Sequence, residues 1–111
     1  MEYAILIYRD ESETGVDWAQ READYASYFK AVSEAGLMRG GPRLESSRTA
    51  TTVAIRDGQR LITDGPFGEA REQLGGIFVL DCAHLDEALE WAARCPAASH
   101  GTVEVRPVTS S

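Results

Sequence analysis

Residues 63 to 76 read Thr-Asp-Gly-Pro-Phe-Gly-Glu-Ala-Arg-Glu-Gln-Leu-Gly-Gly, and this stretch holds several of the side chains most suited to chemistry. Asp64 ends a run that reads as a strand and precedes a Gly-Pro pair that restricts the backbone. A carboxylate held there can keep one orientation, and burial or a neighbouring arginine can tune it for acid/base work or ligand anchoring. The same carboxylate can instead cap the turn by accepting backbone N–H bonds. Phe67 either lines a ligand cleft or plugs the core or a subunit seam. Glu69, Arg71 and Gln73 would face a cleft as alternate residues of an extended segment; otherwise they form a salt-bridged, solvated surface. Gly75-Gly76 either lets a ligand or partner backbone approach closely or forms a bulge at a strand start. Outside this stretch, Tyr25 offers a phenolic donor, although its place on an apolar helical stripe also suits core packing. Asp64 is therefore the candidate catalytic residue, with Tyr25, Phe67, Glu69, Arg71 and Gln73 as candidate ligand-binding residues.

Other chemistries find no support in the spacing of residues. No His, Cys and Asp cluster has metal-ligand spacing, and there is no glycine-rich phosphate loop or nucleophile motif, so neither a metal nor a cofactor is expected. Cys82 and Cys95 fall in strand and helix positions and read as buried free thiols. The net charge of −7 argues against nonspecific nucleic-acid binding. Positive charge is concentrated in the middle, where residues 39–71 carry six arginines against four acids. Those arginines (Arg39, Arg43, Arg48, Arg56, Arg60 and Arg71) form either a patch for a small anion or a scattered surface. No apolar run approaches the ~20 residues that cross a bilayer. The start, MEYAILIYRDE, lacks the basic opening and long apolar region of a signal peptide, and a cytoplasmic location is expected.

The elements that must position these residues are legible from their periodicity. With 111 residues, one domain spanning 1–111 is expected. Residues 2–9 form a strand with Tyr3, Ile5 and Ile7 on one face and Ala4, Leu6 and Tyr8 on the other. A helix follows from about Asp17, its N-cap, to Ala35, with Gly36 in the left-handed position that ends it. Residues 37–44 resume extended structure, interrupted by Gly40-Gly41-Pro42 as at a bulge or sheet edge. Residues 48–56 form a strand that turns at Asp57-Gly58 into a short partner strand. Residues 77–82 form another strand, apolar on both faces. A helix over Leu85 to Arg94 places Leu85, Ala88, Leu89 and Ala92 on one stripe, with His84 at its N-cap. The last strand starts near Gly101 and turns Val103 and Val105 inward, after a turn that leaves His100 exposed.

This order, β-α-β-β-β-β-α-β, predicts a ferredoxin-like α+β sandwich in which both helices cover one face of an antiparallel sheet and a hairpin is inserted. Two helices cover one face only. The apolar side chains of the other face need a second cover, and a second copy of the chain about a twofold axis supplies it.

Several blocks together resemble the DGPF-type branch of the YCII-related proteins. They are Thr51-Thr52-Val53 with Arg56-Asp57-Gly58, Thr63 to Phe67 with Glu69, Glu72 to Gly76, Leu85 to Ala92, and Gly101 to Pro107. The resemblance spans essentially the whole chain and implies a dimeric α+β barrel with a small-molecule cleft. Relatives of that fold include dehydrochlorinases and muconolactone isomerases, which implies lyase- or isomerase-type chemistry. The resemblance also implies an alternative: a non-enzymatic interaction module, such as a partner of an extracytoplasmic-function sigma factor. Enzyme-like members carry a His in the first helix, paired with an Asp; here Tyr25 takes that place, so the pair does not transfer. Arg71 stands where a Lys is expected, keeping the charge while changing its bonding.

Overall fold

The computed structural model describes residues 1–68 and 70–109. Strand β1 (Glu2–Arg9) runs through the middle of a three-stranded antiparallel sheet, flanked by β4 (Gln73–Asp81) and β5 (Thr102–Pro107). Helix α1 (Trp18–Glu34) follows β1, α2 (Leu85–Arg94) follows β4, and a short α3 (Ala97–His100) precedes β5. Among the described residues, strands β2 (Thr51–Arg56) and β3 (Gln59–Asp64) pair only with each other. The fold is the expected ferredoxin-like α+β arrangement with an inserted hairpin.

Segment 37–44 takes the place of the fourth sheet strand, at the edge beyond β4. Its ladder is broken into isolated bridges, Met38 opposite Leu80 and Arg43 opposite Gly76. Glycine explains the irregularity. At Gly41, with φ 146°, a Cβ would lie 2.2 Å from the Ile77 carbonyl oxygen, so only a residue without a side chain lets the two backbones meet there.

The helix boundaries follow their caps. The Asp17 side chain accepts from the Gln20 N–H at 3.1 Å, and Gly36 adopts φ 75° just past the end of α1. His84 caps α2 through Nδ1, which accepts from the Glu87 N–H at 3.2 Å. The hairpin turns through Asp57 and Gly58, both with positive φ (52° and 75°), as a two-residue loop requires. Three expectations need correction. The strand expected over 48–56 starts at Thr51, because Ser47–Thr49 wind into a 3-10 turn capped by Ser46. The strand expected from residue 77 starts at Gln73. The turn expected at His100 is the end of α3, which packs Ala97 into the core.

Strand alternation sorts the side chains into two faces. Tyr3, Ile5 and Ile7 share the helix-covered face with Phe78 and Leu80, and Tyr28, Val32 and Ala88 close over them. Cys82 and Cys95 are buried in this core as free thiols. Leu85 and Leu89, expected on the core stripe of α2, stay largely exposed, and Ala88 and Ala92 make the buried contact. On the other face Ala4, Leu6, Ile77 and Val79 are only half-buried, with no helix of the described residues over them. The hairpin adds to this uncovered apolar surface: Val53, Ile55 and Ile62 share one of its faces and are 59%, 59% and 55% exposed.

Candidate functional site

A recess of about 420 Å³ lies between the N-terminal half of α1 and the helix-covered face of the sheet. It opens because the two walls lose bulk at the same level. On the sheet, Gly76 occupies the inward position opposite Ile7, where Phe78 and Leu80 fill the corresponding positions further along β4. Gly75 is the extra residue of a bulge, since Ile7 pairs with Gly76 while Tyr8 pairs with Leu74. Segment 41–46 walls one side. The floor is apolar, made by Ile7, Phe29 and Phe78, and the two aromatic rings meet edge to face at 5.2 Å.

The rim is polar and comes from the starts and ends of elements. Arg9 follows Tyr3, Ile5 and Ile7 by strand alternation, which turns it toward α1 at the end of β1. Its guanidinium lies over the Trp18 ring at 4.7 Å. Arg21, one turn into α1, is held by Glu13 through two bonds of 2.8 and 2.9 Å. That bidentate pair holds the Glu13 carboxyl below its ordinary range and raises Arg21 further. Arg43 approaches Glu22 at 4.0 Å, both well exposed. Glu11 accepts from the Ser47 hydroxyl and from its N–H at 3.0 Å, which ties the loop after β1 to the 3-10 turn. Those bonds, the hydroxyl's first, hold the Glu11 carboxyl below its ordinary value.

Tyr25 lines the same recess, stacked beside Phe29 with centroids 6.1 Å apart. Burial pushes its phenol up to about 12, against the opposing pull of Arg21, Arg43 and Arg9. A tyrosine so held is neutral at physiological pH and donates a hydrogen bond. Of the candidate catalytic and ligand-binding side chains read from the sequence, Tyr25 lines this recess among the described residues, and the Gly75-Gly76 pair lines it too.

The others lie elsewhere in the chain. Asp64 ends β3 exposed, and among the described residues its carboxylate makes no hydrogen bond; the turn beside it is closed by the Gly65 N–H to Ala50 and by Thr52 Oγ1 to the Gly65 carbonyl. Phe67 is 88% exposed and plugs no core of this chain. Arg71 pairs with Asp10 at 3.2 Å on the surface, and Gln73 begins β4 with its amide turned back to the Ala70 carbonyl. Glu69 lies outside the described residues. The middle arginines form no single patch either: Arg39 pairs with Asp81 at 3.3 Å, Arg56 and Arg60 sit near the hairpin tip, and Arg43 alone of the six reaches the recess. Among the described residues no group of three His, Cys, Asp or Glu side chains gathers to hold a metal ion.

Sequence reading missed Arg9 and Trp18 as parts of this site. A signal for Arg9 existed: a charged residue continues the inward-facing series Tyr3, Ile5, Ile7. Trp18, Arg21 and Tyr25 likewise follow one helical stripe whose first half is too polar for a sealed core.

Comparison with known proteins places this architecture. The uncharacterized protein R00369 of Rhizobium meliloti (strain 1021) is 39% identical over 115 residues, covering 97% of this chain and 92% of that protein. Among solved structures, the chain is similar to 5-chloro-2-hydroxyhydroquinone dehydrochlorinase (TftG) from Burkholderia phenoliruptrix AC1100, in complex with 2,5-dihydroxybenzoquinone. That match has a TM-score of 0.54 at 13% identity and covers 100% of this chain and 96% of the other, so it bears on the fold alone. The model of the YCII-related domain matches residues 1–110, and the chain belongs to the YCII-related family.

Proposed function

We propose that this protein binds a small organic molecule in the recess between α1 and the sheet. The observation that carries this reading is an open cleft of about 420 Å³ with an aromatic floor and a polar rim. That size lies within the range of small-molecule sites, which combine apolar walls with a few placed polar groups. The fold neighbour's bound 2,5-dihydroxybenzoquinone is a single planar ring, a size this cleft accommodates.

Binding is better supported than turnover. A phenol pushed up to about 12 is a hydrogen-bond donor and a poor base at neutral pH. The acid/base role read from sequence for Asp64 has no counterpart at this cleft, because Asp64 stands outside it. Lyase- or isomerase-type chemistry would rest on Tyr25 polarising a ligand oxygen.

The working unit in this reading is a homodimer. Half-buried Leu6, Ile77 and Val79 and the exposed hairpin residues Val53, Ile55 and Ile62 present apolar side chains that a second copy of the chain would cover. The buried free thiols suit a reducing, cytoplasmic setting. Light scattering coupled to size exclusion tests the dimer: a twofold mass supports it, and a monomer at high micromolar concentration contradicts it. A calorimetric titration with 2,5-dihydroxybenzoquinone and single-ring carboxylates tests the cleft. Binding that disappears in Gly76→Leu, where a side chain would fill the recess, supports the reading; binding unchanged in that variant moves the site elsewhere.

A further inference from the structure

Three guanidinium groups border the cleft, and their partners differ. Arg21 is chelated by Glu13 and Arg43 leans on Glu22. Arg9, half-buried, has no ion pair and no side-chain hydrogen bond among the described residues. Of the two carboxylates that follow it in sequence, Asp10 is taken by Ser12 and Arg71, and Glu11 by the Ser47 N–H and hydroxyl. The contact that does hold Arg9 is the Trp18 face, 4.7 Å away, with Arg21 at 5.5 Å from the same ring. Stacking orders a guanidinium while leaving its in-plane N–H donors unspent. Solvent reaches these donors, since none of the described side-chain nitrogens or oxygens is buried without a partner, so a ligand oxygen can take the place of water there.

We propose that Arg9, steadied by Trp18 and assisted by the Tyr25 hydroxyl, forms an anion-recognising corner, and that the ligand is a planar ring carrying one carboxylate or similarly acidic oxygen. This inference rests on the cleft reading above and adds the charge of the ligand to it. A carboxylate takes two parallel N–H bonds from a guanidinium edge, which fixes the plane of the ring attached to it. The ring then lies over Phe29 and Phe78, and the neutral Tyr25 phenol supplies one further donor. Arg21 is held by Glu13, and Arg43 stands exposed 4.0 Å from Glu22, so Arg9 is the guanidinium best placed to meet the ligand's charge.

The test is a calorimetric comparison of benzoate with benzamide, which share ring and shape and differ in charge. Wild type is expected to bind benzoate at least about tenfold tighter than benzamide, in line with the worth of a hydrogen bond to a charged group. Arg9→Gln is expected to abolish that preference and Arg9→Lys to retain part of it, with thermal melts confirming that both variants fold. Equal binding of the two probes, lost together in Gly76→Leu, overturns the charge assignment and leaves the cleft reading standing. A benzoate preference that survives in Arg9→Gln also overturns it. Failure of both probes to bind at millimolar concentration overturns this inference and the cleft reading together.

Discussion

The two ends of α1 face the same sheet with different results. Toward its C-terminus, Tyr28 and Val32 pack against Phe78, Leu80 and Cys82, and the Tyr28 hydroxyl donates to the Trp91 carbonyl at 2.8 Å. Toward its N-terminus, Trp18, Arg21 and Tyr25 look onto Gly75 and Gly76, and the space between stays open. The helix spacing is the same at both ends, whereas the Gly75 bulge interrupts the β1–β4 ladder at the open end. The supply of side chains differs as well. The closed end offers bulky apolar groups from both layers; the open end offers glycine from one and long polar groups from the other. A site arises here by omission on the sheet and by charge on the helix.

That contrast can be broken first at the closed end. Leu80 is fully buried, and Leu80→Ala should cost about 4 kcal/mol through lost transfer energy and a residual cavity, read as a shift in urea midpoint. A loss below about 1 kcal/mol would mean the closed end is not tightly packed. At the edge, Gly41→Ala forces a Cβ into the β4 backbone and should cost about 3 kcal/mol, comparable with severe overpacking.

The open end should respond in the opposite sense. At Gly76 an added Cβ meets nothing nearer than the Pro42 carbonyl oxygen at 3.7 Å, and its φ is not positive. Gly76→Leu should therefore change stability by less than about 1 kcal/mol, because a strand position gains a packing side chain without strain. It should nonetheless abolish probe binding. Two glycines in one cleft wall region would then have opposite mutational signatures, one structural and one functional.

A smaller effect concerns pH. The Glu11 carboxyl is held below its ordinary value of 4.5 by the Ser47 donors, so its contribution to stability is present above 4.5 and fades as pH falls through the lower folded value. Glu11→Gln should flatten the acid limb of the stability curve below about pH 4.5 while leaving neutral pH less affected. An unchanged acid limb would show that the tie between the β1 loop and the 3-10 turn carries no linkage. The smallest change belongs to Asp64→Asn, an exposed position, expected within about 0.5 kcal/mol of wild type and without effect on probe affinity.

Much of the fold was legible because its signals are local. Asp17, Gly36 and His84 mark helix ends by capping chemistry, Asp57-Gly58 marks a hairpin by its positive φ, and Gly75-Gly76 marks a bulge. Helix α3 was not legible, since four residues after Pro96 carry no periodicity and the proline reads as a stop. The cleft was legible through Tyr25 and the Gly75-Gly76 pair. Arg9, Trp18 and His100 are brought to them by sheet pairing and helix docking across nearly the whole chain. The Asp-Gly-Pro-Phe block drew attention because its residue types are chemically expressive, yet the chain spends them on an exposed turn beneath an uncovered hairpin.

The central claim, that ligand enters between α1 and the glycine pair of β4, is tested most directly by backbone amide NMR during a benzoate titration. The account predicts saturable shifts at Gly75, Gly76 and Ala26 and at the Trp18 and Arg9 side-chain N–H groups, with Ile62, Asp64 and Gly65 unmoved. Shifts confined to the hairpin base around Asp64, with the glycine pair silent, would contradict it.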